Sequence, residues 1–253
     1  MSATSIAAVR GHRGAGAALL VAGLCTAGLV LTWVFAELVP VTHVRDAVAL
    51  YDFTRLDRPF VEVPANLLLA LFEPWFFAVW GIVLVALALS QGRPRVALAV
   101  ALVLALAPGS AELLKPLVAH PHAQVIPLYI KDASWPSGHA TAATAFAWCA
   151  VLVASPARRR VVAMLGVVLV AAVGCALLIL AWHMPSDVLG GYLLATLWAA
   201  LAVAALRASR PAPGSQATVS VGPPPCAPGA HSDSGPSFTA RLRMNSMSES
   251  RFR

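Results

Sequence analysis

Residues 161–182, VVAMLGVVLVAAVGCALLILAW, decide the fold. The stretch carries no charge and exceeds the ~20 apolar residues needed to cross the hydrocarbon core of a bilayer. It lacks the two-residue alternation of a barrel strand. No water is available at membrane depth, so each backbone N–H and C=O must pair within its own segment, and the stretch reads as a helix. Windows of the same kind at 16–38, 66–89, 96–118, 138–155 and 187–206 predict an all-α integral membrane bundle of about six transmembrane helices. The composition agrees: 59% of the chain is hydrophobic, 11% is charged and mean hydropathy is +0.77. An ordinary soluble domain is roughly 25% charged, so a water-soluble globule is excluded, as are a disordered chain and a disulfide scaffold.

Outward from that stretch, the polar residues define faces. Arg10 and Arg13, Arg93 and Arg95, Arg158 to Arg160, and Arg207 and Arg210 flank alternate ends of the spans. Positive short loops stay inside, so both termini are expected in the cytoplasm. The opposite face then holds loops 39–65 and 119–137 and the turn near His183. The first window resembles a signal peptide in its flanking arginines, but its apolar core is too long, and it reads as a retained span. Glu73-Pro74 predicts a kink inside window 66–89, with Glu73 either facing the bundle interior or hydrated at a shallow depth. The expected organisation is a cytoplasmic segment 1–15, a membrane domain 16–206 and a disordered basic Pro/Gly/Ser-rich tail 207–253. Cys25, Cys149 and Cys175 lie in apolar runs and Cys226 in the tail; none is given a disulfide, metal or redox role.

Three polar clusters interrupt the apolar sequence, and the topology brings all three to the outer face. The first is Lys115, followed by His120 and His122. Glu112 three residues before Lys115 offers a simple ion pair; the alternative is a cation holding phosphate. The two histidines, spaced i,i+2 in a Pro-broken loop, match a closed zinc site poorly, and no metal is expected. The second cluster is Trp135-Pro136-Ser137-Gly138-His139. Pro136 suits the first helical position, and the N–H groups of Ser137, Gly138 and His139 would then lack intrahelical partners. Free amides at a helix N-terminus form an anion site, with His139 at its edge. An ordinary helix-starting turn is the simpler reading. The third is His183-Met184-Pro185-Ser186-Asp187. Asp187 falls in the first turn of the sixth helix, where a carboxylate is favoured. It can also accept from one nitrogen of His183 and leave the other as nucleophile or base. Pro185 pushes Met184 toward extended geometry, so an ideal helical pairing of the two is not assured.

These residues resemble the type 2 phosphatidic acid phosphatase family, whose pattern is K-x6-R-P, P-S-G-H and S-R-x5-H-x3-D. Pro136-Ser137-Gly138-His139 matches in full, Lys115 matches the first element, and His183 with Asp187 matches the third at the family's spacing. The resemblance implies that His183 attacks phosphorus to form a phosphohistidine and that Asp187 orients it. It implies that His139 protonates the leaving oxygen and then activates water. Lys115, Ser137 and the Gly138 amide would hold the non-bridging oxygens. No cofactor is implied, and the substrate would be a phosphatidate-like or polyprenyl phosphate or diphosphate in the membrane.

Two arginines of the pattern are absent. His122-Ala123 stands where the first motif has Arg-Pro, and Ala176-Leu177 where the third has Ser-Arg. A donor of this kind at a preorganised site is worth ~3–4 kcal/mol. His122 if protonated, His120, Lys131, Arg45, Arg55 and Arg58 are the candidate substitutes. The expected function is a lipid phosphate phosphatase of the cell membrane with its site on the extracytoplasmic side. The alternatives are a catalytically silent relative that binds a lipid or protein partner, and a transferase that passes the phosphoryl group to an alcohol. Transport is disfavoured because the polar residues cluster at one interface and not at the midplane. The net charge of +7 does not require a nucleic-acid partner, because the excess of arginine lies on the faces read as cytoplasmic.

Overall fold

The computed structural model describes the backbone of residues 3–119 and 133–209, with side chains from residue 14 onward. The windows fold as helices. α1 (Ala3–Trp33) runs into a π-helical turn (Val34–Leu38) and is followed by α2 (Pro40–Thr54), α3 (Pro59–Ala70), α4 (Pro74–Ser90), α5 (Pro94–Val118), α6 (Gly138–Val153), α7 (Arg159–Ile179) and α8 (Pro185–Ala208). Proline opens α2, α3, α4, α5 and α8, where its missing N–H costs no intrahelical bond.

The protein is an all-helical membrane bundle. Gly14–Leu38, α5, α7 and α8 are each long and apolar enough to cross a bilayer. The window at 66–89 departs from the expected kinked helix. Glu73-Pro74 breaks it fully, leaving α3 and α4 at 56° to each other. The cause is local: Pro74 cannot continue the ladder, and Glu73 before it is extended at φ −62°, ψ 152°. Loop 39–65 is also more ordered than expected, since it holds α2 and the start of α3.

α6 is the centre of the bundle, packed against α5, α7 and α8. At 16 residues it is the shortest of these helices, about 24 Å at 1.5 Å per residue. Ala140, Ala142, Ala143 and Ala145 are buried along it and let neighbouring backbones approach closely. One side joins a core with Leu50, Leu69, Val173 and Leu177, and the other a core with Leu84, Val100 and Val103. α7 turns Val161, Met164, Leu165 and Val167 outward, an apolar surface suited to lipid. α1 packs along α8.

Candidate active site

The second and third clusters meet through backbone. The Ser137 N–H donates to the Asp187 carbonyl at 2.9 Å, fixing the start of α6 to the first turn of α8. Glycine permits this approach: a Cβ on Gly191 would lie 2.7 Å from the Ser137 carbonyl oxygen and 3.0 Å from the Thr141 nitrogen. One expectation is thereby corrected. Ser137 does not offer its N–H to a ligand, and its hydroxyl accepts from the Ala140 N–H at 3.4 Å as the cap of α6, fully buried. The first-turn amides of Gly138 and His139 still have no intrahelical carbonyl to bond.

His183 is presented by the turn between α7 and α8. Trp182 N–H bonds the Leu177 carbonyl at 2.9 Å and Ala181 N–H bonds that of Leu178 at 3.1 Å, the paired bonds of a Schellman end. Ala181 takes the left-handed position at φ 54°. Met184 is extended at ψ 156°, as Pro185 requires, and His183 still reaches Asp187, with Nδ1 to Oδ2 at 3.3 Å. Asp187 is buried, and the same oxygen accepts from the Met184 N–H at 3.0 Å. A proton on Nδ1 then faces the carboxylate and leaves the Nε2 lone pair available.

His139 stands beside this pair. Its ring meets Trp182 edge-on, with centroids 5.7 Å apart, and its buried Nε2 has no partner among the described residues. Lys115, Glu112 and the exposed Glu73 at the α3–α4 break are the charged side chains near enough to influence it. Lys115 is paired, its Nζ donating to Glu112 Oε1 at 2.6 Å. Both groups lie over Gly138: a Cβ there would stand 2.8 Å from Glu112 Oε1 and 3.6 Å from Lys115 Nζ.

Sequence reasoning missed Asp46 of α2. Its carboxylate accepts from the Ser186 N–H at 3.2 Å and from the Ser186 hydroxyl, capping α8 from a distant segment. Burial raises its pKa above the ordinary 3.8, while the bonds from Ser186 oppose that rise. The period of His43, Ala47 and Leu50, all buried on one face of α2, was the available signal. The arginine substitutes named above do not converge here. Arg55 pairs with Asp52, Arg58 bonds the Asp57 carbonyl, and Arg45 lines a separate cavity with Asp46, Pro185 and Ser186. His120, His122, Lys131 and the tail from residue 210 lie outside the described residues. Leu177, at the position of the motif arginine, is buried in the core. No group of three or more His, Cys, Asp or Glu able to hold a metal ion forms among the described residues.

Comparison with known proteins agrees with this fold. The family model described as the PAP2 superfamily matches residues 96–211, which hold α5 to α8 and every motif residue. A solved structure, the first transmembrane PAP2 type phosphatidylglycerolphosphate phosphatase from Bacillus subtilis, superposes with a TM-score of 0.63 at 17% identity. The superposition covers 75% of this chain and 98% of that one. At that identity the likeness is one of fold. No curated protein sequence matches. The match to the PAP2 superfamily model is thus confined to residues 96–211, the part of the chain that holds the three motif clusters.

Proposed function

We propose that this protein is a membrane lipid phosphatase that removes phosphate from a phosphatidate-like or polyprenyl phosphate or diphosphate through a phosphohistidine on His183. The contact of His183 Nδ1 with the buried Asp187 carboxylate carries the reading. In the first step the Nε2 lone pair bonds to phosphorus as the P–O bond to the lipid breaks. His139 gives its proton to the departing oxygen, and Asp187 stabilises the imidazolium. In the second step His139 takes a proton from water, which attacks phosphorus and frees His183 with inorganic phosphate. The amides of Gly138 and His139 and the Lys115 ammonium bind the non-bridging oxygens. The Ser137 hydroxyl adds to them only by giving its proton outward from its capping position. His122 is assigned a supporting cationic role.

The scheme uses no cofactor. The site is assigned to the extracytoplasmic face of the cell membrane with both termini and the 207–253 tail inside, on the strength of the arginines at the other ends of the helices. The domain itself is assigned to 16–206.

A silent, lipid-binding relative is the second reading. It is favoured by Leu177 buried where the motif has arginine, and by a Lys115 already paired with Glu112. Phosphate release from phosphatidate and polyprenyl diphosphate by purified protein in detergent separates the two. Activity is expected, and His183→Ala is expected to lower it by at least about 10³-fold, as loss of a covalent nucleophile does. Activity unchanged in His183→Ala would remove His183 as nucleophile. No release from folded protein would establish the silent reading.

A further inference from the structure

α1 and the ends of α5, α6, α7 and α8 remote from His139 and His183 line an open cavity of about 610 Å³ that the phosphatase chemistry does not use. Four arginines line it: Arg93, Arg95, Arg159 and Arg207. Along α8, Arg207 lies about 33 Å from Pro185 at 1.5 Å per residue, although the apolar lining reaches back to Thr196. Away from the arginines the wall is mostly apolar, with Val21, Trp148, Leu152 and Val203 beside Thr196.

Three of the guanidiniums are held in place by backbone oxygens. Arg93 donates to the carbonyls of Leu152 and Val153 at 3.0 and 3.2 Å, closing the end of α6. Arg95 donates to Ser209 O at 2.7 Å, and Arg207 to Gly14 O at 2.6 Å. Each guanidinium has five N–H donors, so these bonds leave donors unspent. No carboxylate lines the cavity, and none pairs with any of the four among the described residues. Arg159 also opposes its own helix. It sits in the first turn of α7, where the dipole favours an anion. Helix ends account for Arg93, Arg95 and Arg207 one by one but not for Arg159, and a bound anion with an apolar tail suits both the gathering of all four and the apolar hollow between them.

We infer that this cavity binds an anionic phospholipid from the leaflet on that side, its phosphate among Arg93, Arg95, Arg159 and Arg207 and an acyl chain against Val21, Trp148 and Val203. The site is separate from the catalytic one and takes its lipid as a ligand, without reaction.

The test uses full-length protein in a neutral detergent, titrated with dioleoylphosphatidylglycerol or dioleoylphosphatidylcholine, with thermal unfolding and native mass spectrometry as readouts. Phosphatidylglycerol is expected to raise Tm and to remain bound; phosphatidylcholine is not. Arg159→Gln should weaken phosphatidylglycerol binding about fivefold, in line with one surface cation against an anionic lipid, and Arg95→Gln with Arg159→Gln more. Arg159→Gln caps no helix in the structure, so its effect is readable even if the double variant folds poorly. Arg158→Gln, outside the lining, and Lys115→Gln, at the catalytic end, should leave the affinity unchanged. Equal binding of phosphatidylcholine, an equal Tm rise with soluble glycerol 1-phosphate, unchanged affinity in Arg159→Gln, or loss of binding in Lys115→Gln would each overturn the assignment.

Discussion

In the proposed mechanism the substrate phosphate arrives where Glu112 now lies. Its carboxylate covers Gly138 and holds Lys115 at 2.6 Å, so the anion site at the start of α6 already contains an anion belonging to the protein. Substrate must displace it, and its exposure allows that displacement. Glu112→Gln is therefore expected to lower KM for a lipid phosphate about two- to fivefold with kcat little changed, the scale of an exposed ion pair. Steady-state kinetics on mixed micelles check it; a raised KM would show that Glu112 serves binding by orienting Lys115. Asp46 gives a pH signature. Its raised pKa means that the folded state favours the neutral carboxyl, so its contribution to stability is full below pH 3.8 and declines as pH rises through the elevated value. Asp46→Asn keeps an acceptor for Ser186 and removes the titration. Thermal unfolding across pH should show stability falling less steeply above pH 3.8 in the variant than in the native protein.

At the scale of elements, the turn between α7 and α8 that presents His183 carries backbone strain. Ala181 occupies a left-handed position at φ 54°, which costs a residue with a Cβ about 1–2 kcal/mol. Ala181→Gly should relieve most of it and raise the Tm of the purified protein. It should leave phosphate release near the native level, because the Trp182 N–H bond to Leu177 that closes the turn is kept. A lower Tm would mean that the turn is not left-handed at Ala181. The spans at 96–118, 161–182 and 187–206 were legible because length and apolarity suffice for a helix in lipid. α2 was not legible by that measure: it is only half apolar, and its order comes from burying His43, Ala47 and Leu50 against the bundle. The 56° break at Glu73-Pro74 was legible as a proline but not as an angle, since the angle is set by what α3 and α4 pack against.

The whole molecule divides its chemistry between two ends. His139, His183 and Asp187 share one end with Lys115, while Arg93, Arg95, Arg159 and Arg207 gather at the other. The proposed orientation predicts that an impermeant maleimide added to intact cells labels Asp57→Cys, which lies between α2 and α3, and not Arg158→Cys, which lies between α6 and α7. Both are made in a background lacking the native cysteines. The reverse pattern would place the histidine site in the cytoplasm.

By itself the sequence determined the class of fold and the PAP2 resemblance, and it set His183 and Asp187 four residues apart without assuring their contact. Apolar length, a tetrapeptide and an i,i+4 spacing are all local properties. Tertiary structure alone decided that the Ser137 N–H goes to Asp187 and not to a ligand, that Glu112 covers Gly138, and that Leu177 is buried. It also brought Asp46 across 140 residues to cap α8, and collected four arginines from separate segments around one cavity. Each of these depends on which helix faces meet. Those faces are chosen by close packing of small residues such as Gly191 and the alanines of α6, whose partners lie far away in the chain.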